Sequence, residues 1–282
     1  MPSFCGLAPG GFYLRWRRCP NSVLLVERRS DIIGHPIFFP EGLVTLLVTL
    51  RGADGIVVAT DSRGTFGDPR GVTAQNDSQK KLYIASRYSA ILTAGSGELA
   101  AFVMEEVLRT IQGTEGITAI MDATRNLVRA RYGDWFASFA LQPIPSVPAP
   151  VRPDLGLILA GYDVDATGRP TDQRIFQLMS QADFAPMLHN YGFAIAGIAQ
   201  YALYLLNRLY ERNSTVEQLR ALAAYVITET ASQDGKVGGR VQMATITPTA
   251  GCQELKPEEI NAILVHNQRR SAGLKDSFFR EA

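Results

Sequence analysis

Several residues with catalytic potential stand at the ends of apolar runs in the first third of the chain. Thr45 opens one run, Asp61 follows the next, and Lys81 precedes a third. A threonine hydroxyl is a weak nucleophile unless a base removes its proton. A threonine at the start of a chain carries such a base, its own α-amine, whose ordinary pKa is about 8. Thr45 is therefore expected to act as a nucleophile only if the mature chain begins there.

The elements that would position these residues begin with a predicted β-hairpin. Within residues 45–67, two apolar runs flank the turn sequence Gly52-Ala53-Asp54-Gly55, and this pattern predicts two antiparallel strands. A polar loop at 65–76 follows, and then strands at 82–85 and 88–94 and helices at 98–111 and 117–132. Further strands are predicted at 155–163, 174–179 and 192–198, followed by helices at 199–211 and 215–233, the latter with Ser214 or Thr215 as N-cap. The last predicted elements are a strand at 240–248 and a helix from Pro257.

This order of elements predicts an α+β fold. Strands precede two helices, and further strands precede two more, so two sheets that are each covered by a helical pair would explain the pattern as a four-layer αββα sandwich. Five prolines in residues 133–153 argue against a helix there. Because strands resume directly after it, this stretch is interpreted as a surface loop inside one domain and not as a linker.

Composition excludes several classes of function. Net charge is +1, which favours neither nucleic acid nor a membrane surface as a partner, and no apolar run approaches the roughly 20 residues of a transmembrane helix. The three cysteines have no metal-binding spacing and form no disulfide framework, which is typical of a reducing cytoplasm. The three histidines are scattered and are expected to be structural or exposed. No metal or other cofactor is predicted, and the expected location is cytoplasmic.

Residues 1–44 differ from the rest of the chain. They contain two of the three cysteines and five arginines but no lysine, and they lack a clear helical or strand period. Three interpretations are open: a propeptide removed before Thr45, a genuine extension, or upstream DNA translated from a misassigned start. The third is favoured because Val44 can be encoded by GTG, a bacterial start codon, with a purine-rich codon pair for Glu41-Gly42 just upstream. The predicted organisation is therefore an extension at 1–44, a domain at 45–265 and a polar tail at 266–282.

The string GIVVATDSRGT, followed by KKLY and LTAGSGE, resembles the proteasome β-subunit family and its bacterial and archaeal relatives. The resemblance extends from Thr45 to about Thr249. Members of this family are N-terminal-nucleophile hydrolases with the αββα sandwich fold. Their nucleophilic threonine stands sixteen residues before the aspartate of an Asp-x-Arg motif, as Thr45 does before Asp61. Their lysine matches Lys81, and the glycine of their oxyanion hole, fourteen residues further on, matches Gly95.

The resemblance implies a role for each matched residue. The cation of Lys81 would lower the pKa of the Thr45 amine and favour its basic form, while Asp61 would hold the Lys81 ammonium. The Gly95 amide would donate to the oxyanion of the tetrahedral intermediate. Asp234 opens the segment Asp234-Gly235-Lys236-Val237-Gly238-Gly239, which matches the family motif Asp-x-x-Ser-Gly-Gly except at the serine, and it would orient the N-terminus.

Substrate binding is assigned to small residues. Gly64, Thr93 and Gly97 fall where the family lines its primary specificity pocket, and Thr65 is grouped with them. Their size predicts room for a sizeable substrate side chain. Arg63, by contrast, is interpreted as part of a structural ion pair, Lys80 as a solvated neighbour of Lys81, and Gly238-Gly239 as structural.

Three positions depart from the family pattern. Val237 replaces one supporting serine, and Ile198 replaces a second, in a segment where the family often has Gly-Ser-Gly. These hydroxyls help to hold the amine and a water molecule in the family, so their loss puts efficient catalysis in question. Val44 stands where processed propeptides usually end in glycine, which argues against autocatalytic cleavage.

The resulting hypothesis is a threonine endopeptidase that hydrolyses unfolded proteins or peptides through an ester on Thr45. The resemblance further implies a homo-oligomeric ring and allows for an ATPase partner that unfolds substrates. One alternative is a non-catalytic, α-type structural subunit, which Phe38-Phe39-Pro40-Glu41-Gly42 faintly resembles. Retention of Asp61, Lys81 and Asp234 argues against it, as does the absence of a helix between that signature and the first strand. Another alternative is an amidase of the same nucleophile class that acts on a small molecule.

Overall fold

The computed structural model describes residues 45–68, 71–137 and 152–279. The predictions for residues 1–44, for the Val44–Thr45 junction and for most of the proline-rich stretch lie outside these residues. The strands are β1 (Leu46–Arg51), β2 (Ile56–Thr60), β3 (Gly64–Asp68), β4 (Gly71–Asn76), β5 (Leu82–Ser86), β6 (Ser89–Gly95), β7 (Leu155–Val164), β8 (Pro170–Met179), β9 (Met187–Leu188), β10 (Phe193–Gly197), β11 (Gln242–Thr247) and β12 (Gly251–Glu254). The helices are α1 (Gly97–Thr110), α2 (Ile117–Trp135), α3 (Ala199–Leu209), α4 (Val216–Gln233) and α5 (Pro257–Phe279).

Within these residues the strands form two larger sheets and a separate hairpin. The first sheet has the order β10-β1-β2-β11-β12, and the second has the order β5-β6-β7-β8-β9. Neighbouring strands are antiparallel throughout both sheets. The hairpin predicted around residues 52–55 is confirmed as β1 and β2, and its register sets Leu47 opposite Thr60. The predicted α+β class is thereby confirmed.

Three apolar clusters hold these elements together. One lies between the first sheet and helices α3, α4 and α5, and it includes Leu46, Val48 and Leu50. A second contains residues of both sheets, among them Leu47 from β1 and Leu92 from β6. A third joins the second sheet to α1 and α2. Successive side chains of a strand point to opposite faces, so β1 contributes to the first cluster and the second in alternation.

The helix boundaries follow local sequence signals. Thr215 is the N-cap of α4, since its side chain accepts a hydrogen bond from the Gln218 amide and the Thr215 amide donates one to the Gln218 side chain. This capping box satisfies backbone donors that a helix start otherwise leaves free. Among the described helices, none is both long and apolar enough to cross a membrane.

The structure differs from the sequence prediction in three places. The loop predicted at 65–76 overlaps strands β3 and β4, which pair as a hairpin; residues 74–76 of β4 are exposed, so they show no alternation of buried and exposed side chains that would predict a strand. The short strands β9 and β12 were missed for lack of length. Helix α5 continues to Phe279, through most of the segment assigned to a polar tail. Its second half is polar because only one side is covered: Asn267 is buried and donates to the Ala221 carbonyl of α4.

Candidate active site

Thr45 lies directly before β1 and is almost completely buried, with 1% of its surface exposed. Its hydroxyl Oγ1 donates a hydrogen bond of 2.6 Å to Oδ1 of Asp61, and Lys81 Nζ donates to the same Oγ1. The hairpin explains the first contact, because β1 and β2 are paired and Asp61 follows the last residue of β2. The structure therefore brings Thr45, Asp61 and Lys81 together at one hydroxyl.

The Asp61 carboxylate is fully buried and receives donors on both oxygens. Besides Thr45 and Lys81, Oδ1 accepts from the Leu46 amide at 3.0 Å. Oδ2 accepts from the amides of Arg63 and Gly238, each at 3.1 Å. Hydrogen bonds to a charged acceptor are stronger than neutral ones, so these donors fix the position of the carboxylate and compensate for its burial.

Lys81 is also buried, with 3% of its surface exposed. Its Nζ lies 3.0 Å from Asp61 Oδ1 and donates to the Arg63 carbonyl at 2.7 Å. Burial lowers the pKa of the Lys81 ammonium below its ordinary value, and the neighbouring Asp61 carboxylate opposes that shift only in part. The Lys81 Nζ is therefore held in a buried position beside both the Asp61 carboxylate and the Thr45 hydroxyl.

The backbone of Thr45 is held from the opposite side by Gly197 and Ile198. The Ile198 amide donates to the Thr45 carbonyl at 2.7 Å. Gly197 has a φ of 93°, and a Cβ on it would overlap that same carbonyl oxygen. Only glycine suits this position, because it tolerates positive φ and allows the close approach. Sequence reasoning noted this segment for its missing serine and did not identify Gly197 as a residue that positions Thr45.

Gly95 ends β6, two residues before the start of α1. Its φ is 113°, and a Cβ on it would overlap the Asp154 carbonyl oxygen. The next residue, Ser96, donates its amide to that carbonyl at 3.1 Å. The requirement for glycine is therefore structural at this strand-to-helix junction, and it is compatible with a second use of the Gly95 amide as a donor.

Asp234 ends α4, and its carboxylate accepts from the Lys236 amide at 2.9 Å. Within the described part of the chain it makes no hydrogen bond to Thr45. Its loop reaches the site through Gly238 instead: the Gly238 amide donates to Asp61, and the Gly238 carbonyl accepts from the amides of Ser62 and Arg63 at 3.1 and 3.0 Å. The role expected of Asp234 at the N-terminus remains a prediction.

Arg63 takes a partner other than Asp61. Its Nε and one terminal nitrogen donate to the two carboxylate oxygens of Asp77 at 2.7 and 2.9 Å, and its other terminal nitrogen donates to the Gly235 carbonyl. The hydrogen bonds that Arg63 donates to Asp77 raise the pKa of Arg63. Because the Arg63 guanidinium is engaged there, the side chains that donate to the Asp61 carboxylate are those of Thr45 and Lys81.

Comparisons with known proteins agree with this geometry. No family model matches the chain. It is 27% identical to the proteasome subunit beta of Gordonia bronchialis over 79% of this chain and 74% of that protein. It is 25% identical to the proteasome subunit beta of Saccharopolyspora erythraea over 83% of this chain and 81% of that protein. The proteasome subunit beta of Halorubrum lacusprofundi is 26% identical over 72% of this chain and 73% of that protein.

The chain is similar to proteasome β subunits over most of its length. The names of these relatives support the interpretation of this chain as a protease-type subunit. In this proteasome β-like chain, apolar side chains occupy the two positions where a supporting serine was expected. Val237 is fully buried in the cluster beneath α3, α4 and α5, and Ile198 packs against the same cluster. Backbone donors of Ile198 and Gly238 make the connections to Thr45 and Asp61 that are described above.

The pocket predicted in this proteasome β-like chain contains a side chain that sequence reasoning missed. The Gln79 carboxamide lies against both Gly64 and Gly97: a Cβ on Gly64 would come within 2.7 Å of Gln79 Oε1, and a Cβ on Gly97 would overlap Gln79 Nε2. Thr93 is buried and its amide donates to the Lys81 carbonyl at 2.9 Å, while Thr65 Oγ1 is buried without a hydrogen-bond partner in the described residues. Gln79 thus fills space that the small residues leave open.

Proposed function

We propose that this chain is a threonine endopeptidase that uses Thr45 as its N-terminal nucleophile. The observation that supports this proposal is the convergence of Lys81 Nζ and Asp61 Oδ1 on the Thr45 hydroxyl in a buried site. A strand threonine without a catalytic role has no need of a buried lysine and a buried aspartate, since burying charges is costly. The match to proteasome β subunits over most of the chain agrees with peptide-bond hydrolysis.

The proposed reaction begins once Thr45 is the first residue and its α-amine is free. The amine takes the proton of Oγ1 as Oγ1 attacks the carbonyl carbon of the peptide bond, and the carbonyl oxygen becomes an oxyanion. The Gly95 amide donates to that oxyanion, an interaction typically worth about 3 kcal/mol in the transition state. The protonated amine then gives its proton to the leaving nitrogen, which leaves an ester on Thr45. Water, deprotonated by the same amine, hydrolyses the ester and restores the hydroxyl.

Lys81 and Asp61 would tune this chemistry. A cationic Lys81 next to the hydroxyl favours the neutral, basic form of the amine and stabilises the oxygen as it loses its proton. Asp61 holds Lys81 in place. Asp234 is proposed to act at the N-terminus, on the side of the Gly238 loop. An amide in front of Thr45 removes the basicity of its nitrogen, so any retained residue would leave the site inactive.

The larger assembly follows from the same proposal. The three apolar clusters support a four-layer αββα sandwich for the hydrolase domain, which we assign to residues 45–265. By resemblance, copies of the chain would form a ring in the cytoplasm that encloses the sites, and an ATPase would supply unfolded substrates.

The test of this function combines mass and activity. The intact mass of the expressed full-length chain reports whether the protein matures to Thr45; in parallel, a fusion partner in place of residues 1–44 is removed by a specific protease to expose Thr45. We expect peptide hydrolysis only in the form that starts at Thr45, and its loss in Thr45→Ala. Turnover that survives Thr45→Ala would overturn the proposal. Correctly folded protein with a free Thr45 and no peptide turnover would favour the structural subunit or the small-molecule amidase.

Gln79→Ala is expected to change the substrate preference of the pocket. Removing the carboxamide opens the space between Gly64 and Gly97, so kcat/KM for peptides with a bulky apolar residue before the scissile bond should rise about 10-fold, as expected for one or two added methylenes in a pocket. Peptides with a small residue there should change much less. A peptide library with a varied residue at this position measures the preference.

Gln75→Ala provides the matched control for this prediction. Gln75 is exposed, and its side chain donates to the Gly235 carbonyl instead of entering the pocket. We expect its preference to match that of the wild-type chain. If Gln79→Ala leaves the ratio of bulky to small substrates unchanged, the proposed pocket is wrong.

A further inference from the structure

Strand β5, which follows Lys81, lies at the edge of the second sheet. An edge strand presents backbone N–H groups without a strand partner on its outer side. Here the side chain of Gln242 supplies the partner: its Oε1 accepts from the Lys81 amide at 3.0 Å and from the Leu82 amide at 3.2 Å. Its Nε2 donates to the Gln79 carbonyl at 2.6 Å. One side chain thus satisfies three backbone groups around Lys81, those of Gln79, Lys81 and Leu82.

Gln242 belongs to the other sheet. It is the first residue of β11 and lies opposite Thr60, the residue before Asp61. Two and four positions further along β11, Ala244 and Ile246 lie in the apolar cluster that contains residues of both sheets. By strand alternation Gln242 faces the second sheet at the edge of that cluster. It therefore connects the sheet that carries Thr45 and Asp61 with the strand that follows Lys81.

This connection between the two sheets matters for the candidate active site, because the residues of that site come from different sheets. Thr45 and Asp61 are fixed relative to each other by the β1–β2 hairpin. Lys81 approaches them from the start of β5, so its distance from Thr45 depends on how the two sheets pack. A displacement of about 1 Å in a catalytic group can lower the rate 10²-fold. The three hydrogen bonds of Gln242 act on the backbone of Lys81 itself, of the next residue, Leu82, and of Gln79, two residues before it.

We propose that Gln242 is a positioning residue. It holds the backbone of Lys81 against the first sheet, which carries Thr45 and Asp61, so that Lys81 Nζ contacts the Thr45 hydroxyl. The inference rests on the proposed function of the Thr45 site and deepens it. A residue with this role affects the rate of the chemical step more than substrate binding, since Gln242 contacts the backbone of Lys81 and no part of the pocket lining except the Gln79 carbonyl.

The first test is Gln242→Leu, in the form of the protein that shows Thr45-dependent peptide hydrolysis. Leucine fills a similar volume but neither accepts nor donates hydrogen bonds. We expect kcat to fall about 10- to 100-fold while KM stays within about twofold. An unchanged kcat, whether or not KM changes, would overturn the inference.

Gln242→Glu provides a rescue that depends on pH. A neutral carboxyl group has the shape of the amide: its carbonyl accepts from the Lys81 and Leu82 amides, and its O–H donates to the Gln79 carbonyl. After ionisation it has no donor for that carbonyl. The ratio of kcat in Gln242→Glu to kcat in the wild type should therefore fall as pH rises through the pKa of the introduced carboxyl group. The other ionisable groups of the site are the same in both proteins, so the ratio removes their shared contribution.

Gln253→Leu and Gln253→Glu are the matched controls. Gln253 lies on the neighbouring strand β12 and donates only to the Ala250 carbonyl near the end of the sheet. Both should keep the wild-type kcat and a ratio that does not vary with pH. If Gln242→Leu does not fold, the pH-dependent ratio of Gln242→Glu decides the matter, and a flat ratio refutes the inference. Absence of Thr45-dependent turnover in the wild type would refute the proposed function itself, which is a separate outcome.

Discussion

Lys81→Met is expected to lower kcat for peptide hydrolysis by about 10³-fold in the form that starts at Thr45. Methionine fills much of the same buried space but brings no charge to the Thr45 hydroxyl, so the cation that favours the basic amine is lost. Initial rates on a fluorogenic peptide across a range of substrate concentrations measure the effect. KM should change little, because Lys81 is buried behind the nucleophile.

Lys80→Met is the matched control for this prediction. Lys80 is the exposed neighbour of Lys81, and its Nζ lies 5.0 Å from the centre of the Tyr83 ring. Its activity should stay within about threefold of the wild type, because surface charges contribute little to a buried site. Equal losses in both variants, or activity in Lys81→Met within tenfold of the wild type, would refute the assignment of Lys81.

The same substitution should change how stability depends on pH. Burial lowers the Lys81 pKa in the native state, so between that lowered value and its ordinary 10.5 the unfolded state binds more protons than the native state. The free energy of unfolding of the wild type therefore contains a component that increases with pH across this window. Lys81→Met lacks that component, so the free energy of unfolding of the wild type should rise relative to the variant as pH increases. Denaturant titrations at pH values up to 10.5 measure the difference, and a difference that falls with pH would contradict the prediction.

Asp61→Asn is expected to reduce the free energy of unfolding by about 3 kcal/mol and to abolish peptide hydrolysis. The carboxylate accepts from Thr45, Leu46 and Lys81 on one oxygen and from two backbone amides on the other. An asparagine in this place must turn its NH₂ group toward donors on one side. Buried donors then lose their acceptor, and Lys81 loses the charge that compensates its own. Guanidinium denaturation and the peptide assay measure the two effects.

Asp77→Asn provides the comparison for Asp61→Asn. Asp77 also pairs with a cation, Arg63, but its side chain is half exposed, and hydrogen bonds donated by Arg63 lower the pKa of its carboxyl group. Surface ion pairs contribute little to stability, so the loss should be much smaller than for Asp61→Asn. A loss in Asp77→Asn as large as that in Asp61→Asn would show that the whole loop, and not the buried carboxylate, determines stability.

Local patterns in the sequence were sufficient for much of the fold. The strands of the β1–β2 hairpin and β6 to β8 were predicted because they are apolar runs, and helices α1 to α4 because their apolar residues recur at helical spacing. Prediction failed where that signal is absent. The described side chains of β4, from Ala74 to Asn76, are exposed, and no residue of α5 after Asn267 is buried, so both segments have the composition of loops or tails.

Contacts between distant residues account for what sequence reasoning missed in the site. Gln242 acts on Lys81 from 161 positions away, and Gly197 lies against Thr45 from the neighbouring strand β10. Gln79 enters the pocket because the chain before β5 runs beside Gly64 and Gly97. No periodicity connects such pairs, so a single sequence contains no signal for them. The expected side-chain role of Asp234 illustrates the same limit, since the loop meets the site through the backbone of Gly238.

The amino-acid sequence alone was enough to predict the β1–β2 hairpin and the candidate residues Thr45, Asp61 and Lys81. The first two lie in one hairpin whose register follows from local pairing, and all three match a family spacing. Only the tertiary structure decided how these side chains meet, what fills the pocket, and which residues hold Lys81 and the Thr45 backbone. The reason is physical: hairpin register is set within about twenty residues, whereas the distance between Lys81 and Thr45 depends on the packing of two sheets whose strands come from the whole chain.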